Sequence, residues 1–298
     1  MNKILVIGSS NTDMVVKTNR FPQPGETILG GNFFMFPGGK GANQAVAAAR
    51  LGGEVTFIFK TGNDIFGKQA IDNFKKENIN IQYACVDDNV ASGIAVITVN
   101  EQGENEIIVA SGANNNLSVD DVENANLFLE TVDVLLLQLE TPLATVAHAI
   151  QKGKELNKRV ILNPAPAQML TAAVMDKLFL ITPNETEAEI LTGIHIVDET
   201  SAIDAANKLL KQGTQNIIIT LGSKGAYFKN ETEHFFVHAP KVEAMDTTAA
   251  GDVFNGAIAV ALAENKNWKD AVEFACLAAS ISVTRMGAQT SAPYRNEL

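Results

Sequence analysis

Residues 246–252 read Asp-Thr-Thr-Ala-Ala-Gly-Asp and run straight into Val253, Phe254, Asn255, Gly256 and Ala257. Three small residues, Ala249, Ala250 and Gly251, carry the backbone to a lone carboxylate, Asp252. An apolar, Ala-rich stretch with the pattern of a buried helix follows. A helix start leaves N–H groups unpaired and carries the positive end of the macrodipole. Side chains this small leave those N–H groups open to an anion, so the stretch predicts an anion hole with Asp252 at its rim. A base beside an anion hole suits transfer of a phosphoryl group to a hydroxyl. The same residues also fit a plainer arrangement in which Asp252 caps a core helix.

A second chemical stretch is Gly38-Gly39-Lys40-Gly41-Ala42-Asn43, which opens an Ala-rich helical pattern over residues 44–51. It is not a phosphate-binding P-loop: Phe34 stands where the first glycine belongs, and Gly41 follows Lys40 in place of Ser or Thr. The glycines fit close approach of backbone to a small ligand, with Lys40 and Asn43 as donors. In Asn184-Glu185-Thr186-Glu187, Asn184 and Glu187 are three apart at a helix start and can meet on one side of its first turn. They could hold Mg²⁺ through its waters, or simply cap the helix. Gly8-Ser9-Ser10-Asn11-Thr12-Asp13 lacks the three-glycine dinucleotide fingerprint. The four histidines fall in no motif, which argues against a triad or a zinc site.

The elements that must position these groups follow from hydrophobic periodicity. Apolar runs at 3–7, 55–59, 132–139, 160–162, 178–181 and 217–221 read as buried strands. Amphipathic stretches at 66–76, 143–156, 185–191 and 202–210, the segment after Asp252, and residues 269 to about 285 read as helices. Near-continuous apolar strands alternating with helices predict a doubly wound α/β domain, its mostly parallel sheet covered on both faces. Two segments break the alternation: 15–36, rich in Pro and Gly, and a hairpin at 94–99 and 106–109. They predict a separate small β-sheet over about 14–36 and 92–110, within one domain spanning 1–298. Open parallel sheets bind ligands beyond the carboxyl ends of their strands. Five predicted strands lead there to polar groups: Asn11 and Asp13, Glu140, Asn163, Asn184 to Glu187, and Gly222 to Gly225.

Composition narrows the classes. The 298 residues are 46% hydrophobic, which fits a globular chain with a large core. The 23 basic against 34 acidic residues give a net charge of −11, arguing against general nucleic-acid binding and against anionic membranes. No apolar run is long enough for a signal peptide or a membrane span, and Cys85 and Cys276 form no metal pattern. A cytoplasmic location is expected.

From Gly8 to Pro293 the chain resembles the ribokinase family of sugar kinases. The resemblance is carried by Pro37-Gly38-Gly39-Lys40-Gly41-Ala42-Asn43-Gln44-Ala45 and by residues 246–256, which occur in the expected order. It extends to Asn163-Pro164-Ala165-Pro166-Ala167, Pro183-Asn184-Glu185-Thr186-Glu187 and Thr284-Arg285-Met286-Gly287-Ala288-Gln289. The resemblance implies ATP-dependent phosphorylation of D-ribose at O5, with Mg²⁺ and a monovalent cation, K⁺ foremost. It further implies that the small sheet over about 14–36 and 92–110 is a lid, and that a homodimer is joined through it. Asn11, Asp13, Gly39, Lys40, Asn43 and Glu140 would hold the pentose, with Asp252 as base. The amides of Ala249, Ala250, Gly251 and Asp252 would cradle the γ-phosphoryl group. Asn184 and Glu187 would act near Mg²⁺ and the phosphates. Thr220, Gly222, Ser223, Gly225, Gly251 and Cys276 would line the nucleotide site. Asp246, Thr248, Ser282, Arg285, Gly287 and Ser291 would hold the monovalent cation, mostly by backbone oxygens. The chain departs from the family in having Ala249 where Gly is common and Val253 where Thr is frequent, and in lacking a frequent Asn near Cys276. A kinase for another sugar or a nucleoside is the same-class alternative. A sugar or nucleotide sensor on the same fold is the non-catalytic one; loss of Asp252 or Gly251 would mark it, and both are present.

Overall fold

Alternate residues of the central strands belong to two different hydrophobic cores. Ile4 and Val6 of β1 (Lys3–Ile7) join one, Leu5 and Ile7 the other. Val134 and Leu136 of β9 (Val134–Leu137) face the first, and Leu135 and Leu137 the second. Strand side chains alternate between faces, so a continuous apolar run must be covered on both sides. The computed structural model describes residues 2–298.

The main sheet has eight strands in the order β14-β13-β12-β11-β10-β9-β1-β4. β4 (Glu54–Ile58), β1, β9, β10 (Arg159–Leu162), β11 (Leu180–Ile181) and β12 (Asn216–Thr220) are mutually parallel. β13 (Ala226–Lys229) and β14 (His234–Val237) close one edge as antiparallel strands. One core is covered by α1 (Lys40–Arg50), α2 (Ile65–Lys76), α9 (Ala250–Ala263) and α10 (Trp268–Ser282). The other is covered by the short α3 (Val119–Glu123), α4 (Asn126–Leu129) and α6 (Ala172–Met175) with α5 (Leu143–Glu155), α7 (Glu185–Thr192) and α8 (Glu199–Lys211). The doubly wound, mostly parallel arrangement expected from the sequence is therefore present.

A second sheet of four strands stands apart, in the order β3-β2-β7-β8. β2 (Asn11–Lys17) pairs antiparallel with β3 (Asn32–Gly38) and parallel with β7 (Gly93–Val99), and β8 (Asn105–Ala110) pairs antiparallel with β7. β2 begins at Asn11, so Asn11 and Asp13 belong to this sheet and not to a loop beyond β1. Only Gly8, Ser9 and Ser10 separate β1 from β2, and Asn114 fixes that junction. It accepts from Ser10 N at 2.9 Å and donates to Asn11 Oδ1 at 2.7 Å. A two-stranded parallel pair, β5 (Lys60–Gly62) with β6 (Cys85–Asp87), was not anticipated by the sequence pattern, because each strand has only three residues.

Candidate active site

Two helix starts meet at the carboxyl ends of the main strands. α1 starts at Lys40, four residues earlier than periodicity suggested, directly after Gly39 at φ 89°. A Cβ on Gly39 would sit 2.8 Å from Asn11 N, one on Gly41 2.6 Å from Ser9 N, and one on Gly38 2.3 Å from the Asp13 carboxylate. These glycines seat α1 against the β1–β2 junction and leave room for Asp13. The second start belongs to α9. Gly256 lets it approach α1, since a Cβ there would lie 2.7 Å from Ala47 Cβ and 2.8 Å from the Gln44 carbonyl.

Asp252 does not cap α9. The cap position is Ala249, in the left-handed region at φ 59°, and Asp252 lies in the first helical turn with its side chain buried. The left-handed backbone gives a physical reason for Gly to be frequent there. Asn43 Nδ2 donates to Asp252 Oδ2 and Gln44 Nε2 to Asp252 Oδ1, both at 2.9 Å. Burial pushes the Asp252 carboxyl up, against the opposing pull of Lys40 and these two amides. The N–H of Ala250 makes a long 3.3 Å bond to the Thr247 carbonyl. Those of Gly251 and Asp252 find no internal acceptor among the described residues, and Gly251 faces open space. Two free N–H groups at a helix start, a carboxylate one residue from Gly251, and an exposed approach make an anion site with a base at its edge.

Charged groups surround this point. Lys40 is pulled down by burial, but Asp252, Glu140, Glu187 and Asp13 more than offset this and hold its ammonium above the ordinary value. Asp13 is pushed up to about 6, first by burial and then by Glu140 and Asp252. Glu140 Oε2 accepts from Ser9 Oγ at 2.5 Å and from Lys40 N at 2.9 Å. Asn43, expected as a ligand donor, gives one amide hydrogen to Asp252 and keeps the other free, and its buried Oδ1 has no partner among the described residues. Asn184 and Glu187 form a reciprocal capping box at 2.8 and 2.9 Å. Burial pushes the Glu187 carboxyl up, opposed by the Asn184 N–H and Lys40.

Two cavities share the start of α9. The smaller, about 180 Å³, is lined by Lys40, Glu187, Asp252 and Asn255 among others. The larger, about 790 Å³, includes Thr220, Gly222, Ser223, Gly225 and Cys276 in its wall. Asn184, Thr220, Thr247, Ala250 and Gly251 line both. Asn11, Asp13, Asn43 and Glu140 line neither cavity; Asn11 and Asp13 belong to the small sheet, and Asn43 reaches Asp252 from α1. Sequence reasoning missed Gln44 as a partner of the base, Asn163 as the acceptor behind Gln44, and Lys241 and Val242 in the wall of the larger cavity. Gln44 was signalled by its place in the first motif; the loop at 239–244 carries no motif.

Behind the anion site, Asp246 ties two segments together. Its Oδ1 accepts from Thr248 N at 2.9 Å and its Oδ2 from Gly287 N at 2.8 Å. The carbonyl oxygens of Asp246, Thr248, Arg285 and Gly287 carry no internal hydrogen bond among the described residues. The Ser282 carbonyl, by contrast, accepts from Arg285 N at 3.0 Å. The Arg285 guanidinium pairs with Glu297 and does not enter the group. Uncharged oxygens without donors suit a weakly hydrated monovalent cation better than a divalent one. Among the described residues no group of three or more His, Cys, Asp or Glu side chains could hold a metal ion, and no helix is long and apolar enough to cross a membrane.

Fold and cleft together are those of a doubly wound carbohydrate kinase, a phosphotransferase with an alcohol acceptor. The model for the pfkB family carbohydrate kinases matches residues 1–295, and the chain belongs to that family. It is 45% identical to a ribokinase of Haemophilus influenzae over all of this chain and 97% of that protein. It is 41% identical to a deoxyribokinase of Salmonella typhi over 97% of this chain and 95% of that one. The structure of an Arabidopsis thaliana ribokinase complexed with ribose and ATP superposes with a TM-score of 0.92 at 32% identity, covering 99% and 96% of the two chains.

Proposed function

We propose that the protein transfers the γ-phosphoryl group of ATP to the 5-hydroxyl of D-ribose. The observation that carries this is the position of Asp252, a buried carboxylate held by two amides, beside the free N–H groups of Gly251 and Asp252 where the two cavities join. The larger cavity has the volume of a small-molecule site and takes the nucleotide. Its phosphates run along Thr220, Asn184 and Gly251 into the smaller one. Ribose lies on the other side, its hydroxyls held by Asn11, Asp13, Lys40, Asn43 and Glu140. Asp13 and Glu140 accept from hydroxyls when ionised, and the orphaned Asn43 Oδ1 has a hydroxyl to accept from. So polar a set fits a free sugar better than a nucleobase.

In the reaction, Asp252 takes the proton from O5 as that oxygen attacks the γ-phosphorus, and the bond to the β,γ-bridging oxygen breaks. Negative charge on the transferred group is stabilised by the N–H groups at the start of α9 and by Lys40. Most of the catalysis is then positioning and charge stabilisation in a site that excludes water. Mg²⁺, when bound with the nucleotide, neutralises phosphate charge. Glu187, with one carboxylate oxygen outside the capping box, would hold its water shell, as suits an ion that keeps most of its waters. The carbonyls near Asp246 and Gly287 would hold a monovalent cation, which would supply positive charge to order the loop leading into α9.

The small sheet acts as a lid over the sugar. Its edge strands expose Phe33, Met35, Ile107, Ile108 and Val109, an apolar surface that a second copy of the chain would cover. The test of substrate is ADP release over a panel of D-ribose, 2-deoxy-D-ribose, hexoses and nucleosides, with and without K⁺. Selective turnover of ribose is expected; preference for 2-deoxyribose, a hexose or a nucleoside overturns the assignment. Gel filtration with light scattering tests the dimer.

A further inference from the structure

Behind Asp252 lies a line of buried amides that none of the assigned roles uses. Gln44 is fully buried on α1, Gln138 is buried just beyond β9, and Asn163 is buried just beyond β10. Asn163 Nδ2 donates to the Thr182 carbonyl at 3.3 Å, which turns Asn163 Oδ1 toward Gln44. Gln44 Nε2 donates to that oxygen at 3.0 Å and to Asp252 Oδ1 at 2.9 Å. Both of its N–H bonds are then spent, and its Oε1 must accept. Gln138 Nε2 supplies the donor at 2.6 Å. A carboxylate only accepts, so a reversed Gln44 would set its carbonyl oxygen against Asp252 and Asn163 and lose all three bonds. Gly8 leaves the space that Gln138 occupies, since a Cβ there would lie 2.1 Å from Gln138 Oε1.

We propose that Gln44 is a positioning residue for the base, locked by Gln138 and Asn163 so that it fixes the Asp252 carboxylate for attack by the sugar hydroxyl. This rests on the reading of Asp252 as the base. Gln44 faces Asp252 from the interior, away from the two cavities, so its loss acts on the chemical step and leaves substrate binding in place. It is a carboxylate clamp with its own second tether: Asn43 holds Oδ2, Gln44 holds Oδ1, and only the second has an amide chain behind it. The charged groups that bear on Asp252 are Lys40 from α1, Glu140 beyond β9, Asp13 from β2 and Glu187 from α7. None of them touches Gln44.

The test is steady-state kinetics of Gln44→Met and Gln138→Met in the full-length protein, with Asp252→Asn alongside. Gln44→Met is expected to lower kcat roughly 10- to 100-fold, the scale of a misplaced reacting group. KM for ribose and ATP should stay within about threefold, and the acidic limb of kcat should move up by about one pH unit as a donor to the carboxylate is lost. Gln138→Met should do the same to a smaller degree. Unchanged kcat with an unmoved limb, or a loss confined to KM, overturns the proposal. If Gln44→Met does not fold, Gln138→Met decides by the same two readouts. Asp252→Asn separates the layers: if it keeps parental kcat, the base assignment itself fails. If it is inactive while both glutamine variants are normal, only the positioning role fails.

Discussion

Asn43 and Gln44, neighbours on α1, each donate one amide hydrogen to a different oxygen of Asp252, which lies 209 and 208 residues further along the chain. Both oxygens of the carboxylate are thereby oriented before any substrate arrives. That arrangement needs α1 and α9 to pack closely at their first turns, and several consequences can be measured.

Asp252→Ala should retain ribose binding by calorimetry and lose kcat by roughly 100- to 10,000-fold, the usual contribution of a general base. Near-normal turnover in this variant would sink the assignment.

Gly256→Ala should separate α9 from α1, because its new methyl meets Ala47 Cβ and the Gln44 carbonyl at under 3 Å. The expected cost is about 1–3 kcal/mol of stability, as for overpacking elsewhere. Because the same contact aligns Asp252, kcat should fall together with the urea midpoint. A stable variant with normal kcat would show that this close approach is dispensable.

Asp13 sets a pH dependence whose sign is opposite to that of a salt-bridged carboxylate. Its carboxyl is pushed from 3.8 to about 6, by burial first and then by Glu140 and Asp252. Between those values the folded chain holds a proton that the unfolded chain has released. Its contribution therefore makes ligand-free stability fall as pH climbs from about 4 to about 6 and levels off above. Asp13→Asn should remove that part of the slope in urea titrations. In the proposed site Asp13 accepts from ribose in its ionised form, so KM for ribose in the parent should rise as pH drops below about 6. A KM that stays flat down to about pH 5 would contradict the role of Asp13.

Asp246→Ala removes the acceptor that joins Thr248 N to Gly287 N. The K⁺ concentration for half-maximal activity should rise roughly tenfold, within the usual range of coupling between sites, while KM for ribose holds steady. Loss of activity at every K⁺ concentration, with ribose binding also lost, would point to collapse of the loop instead.

Neither thiol should react readily with alkylating reagents at neutral pH. Burial pushes Cys85 and Cys276 up to about 12, so little thiolate is present in the folded protein. Rapid labelling of Cys276, blocked by ATP, would mean that the nucleotide cavity opens further than its wall suggests.

The two chemical stretches were visible in the sequence because small residues beside Lys40 and Asp252 are a local signal. The buried strands were visible because apolar runs such as residues 132–137 need no partner to be recognised. Less legible were the exact starts of elements. Residues 40–43 look like a loop by periodicity, yet they form the first turn of α1, since packing against Ser9 and Gly8 outweighs local preference there. Asn11 and Asp13 follow the first apolar run in sequence, yet they stand within the small sheet. The three-residue β5 and β6 left no periodic trace, and the antiparallel edge at β13 and β14 depends on a hairpin whose place in the sheet is set only by pairing.

By itself, then, the sequence determined the class of fold, the two chemical stretches and the carboxylate in the second of them, because these follow from residue type and spacing along a short length of chain. Only the tertiary structure decided what Asp252 touches. It is buried in the first turn of α9, not at the cap, and its two oxygens are taken by Asn43 and Gln44. Hydrogen bonds between residues more than 200 positions apart depend on how closely two helices pack. That closeness is set by Gly256 against Ala47 and the backbone of Gln44 and Ala48 on α1, and no local pattern records it.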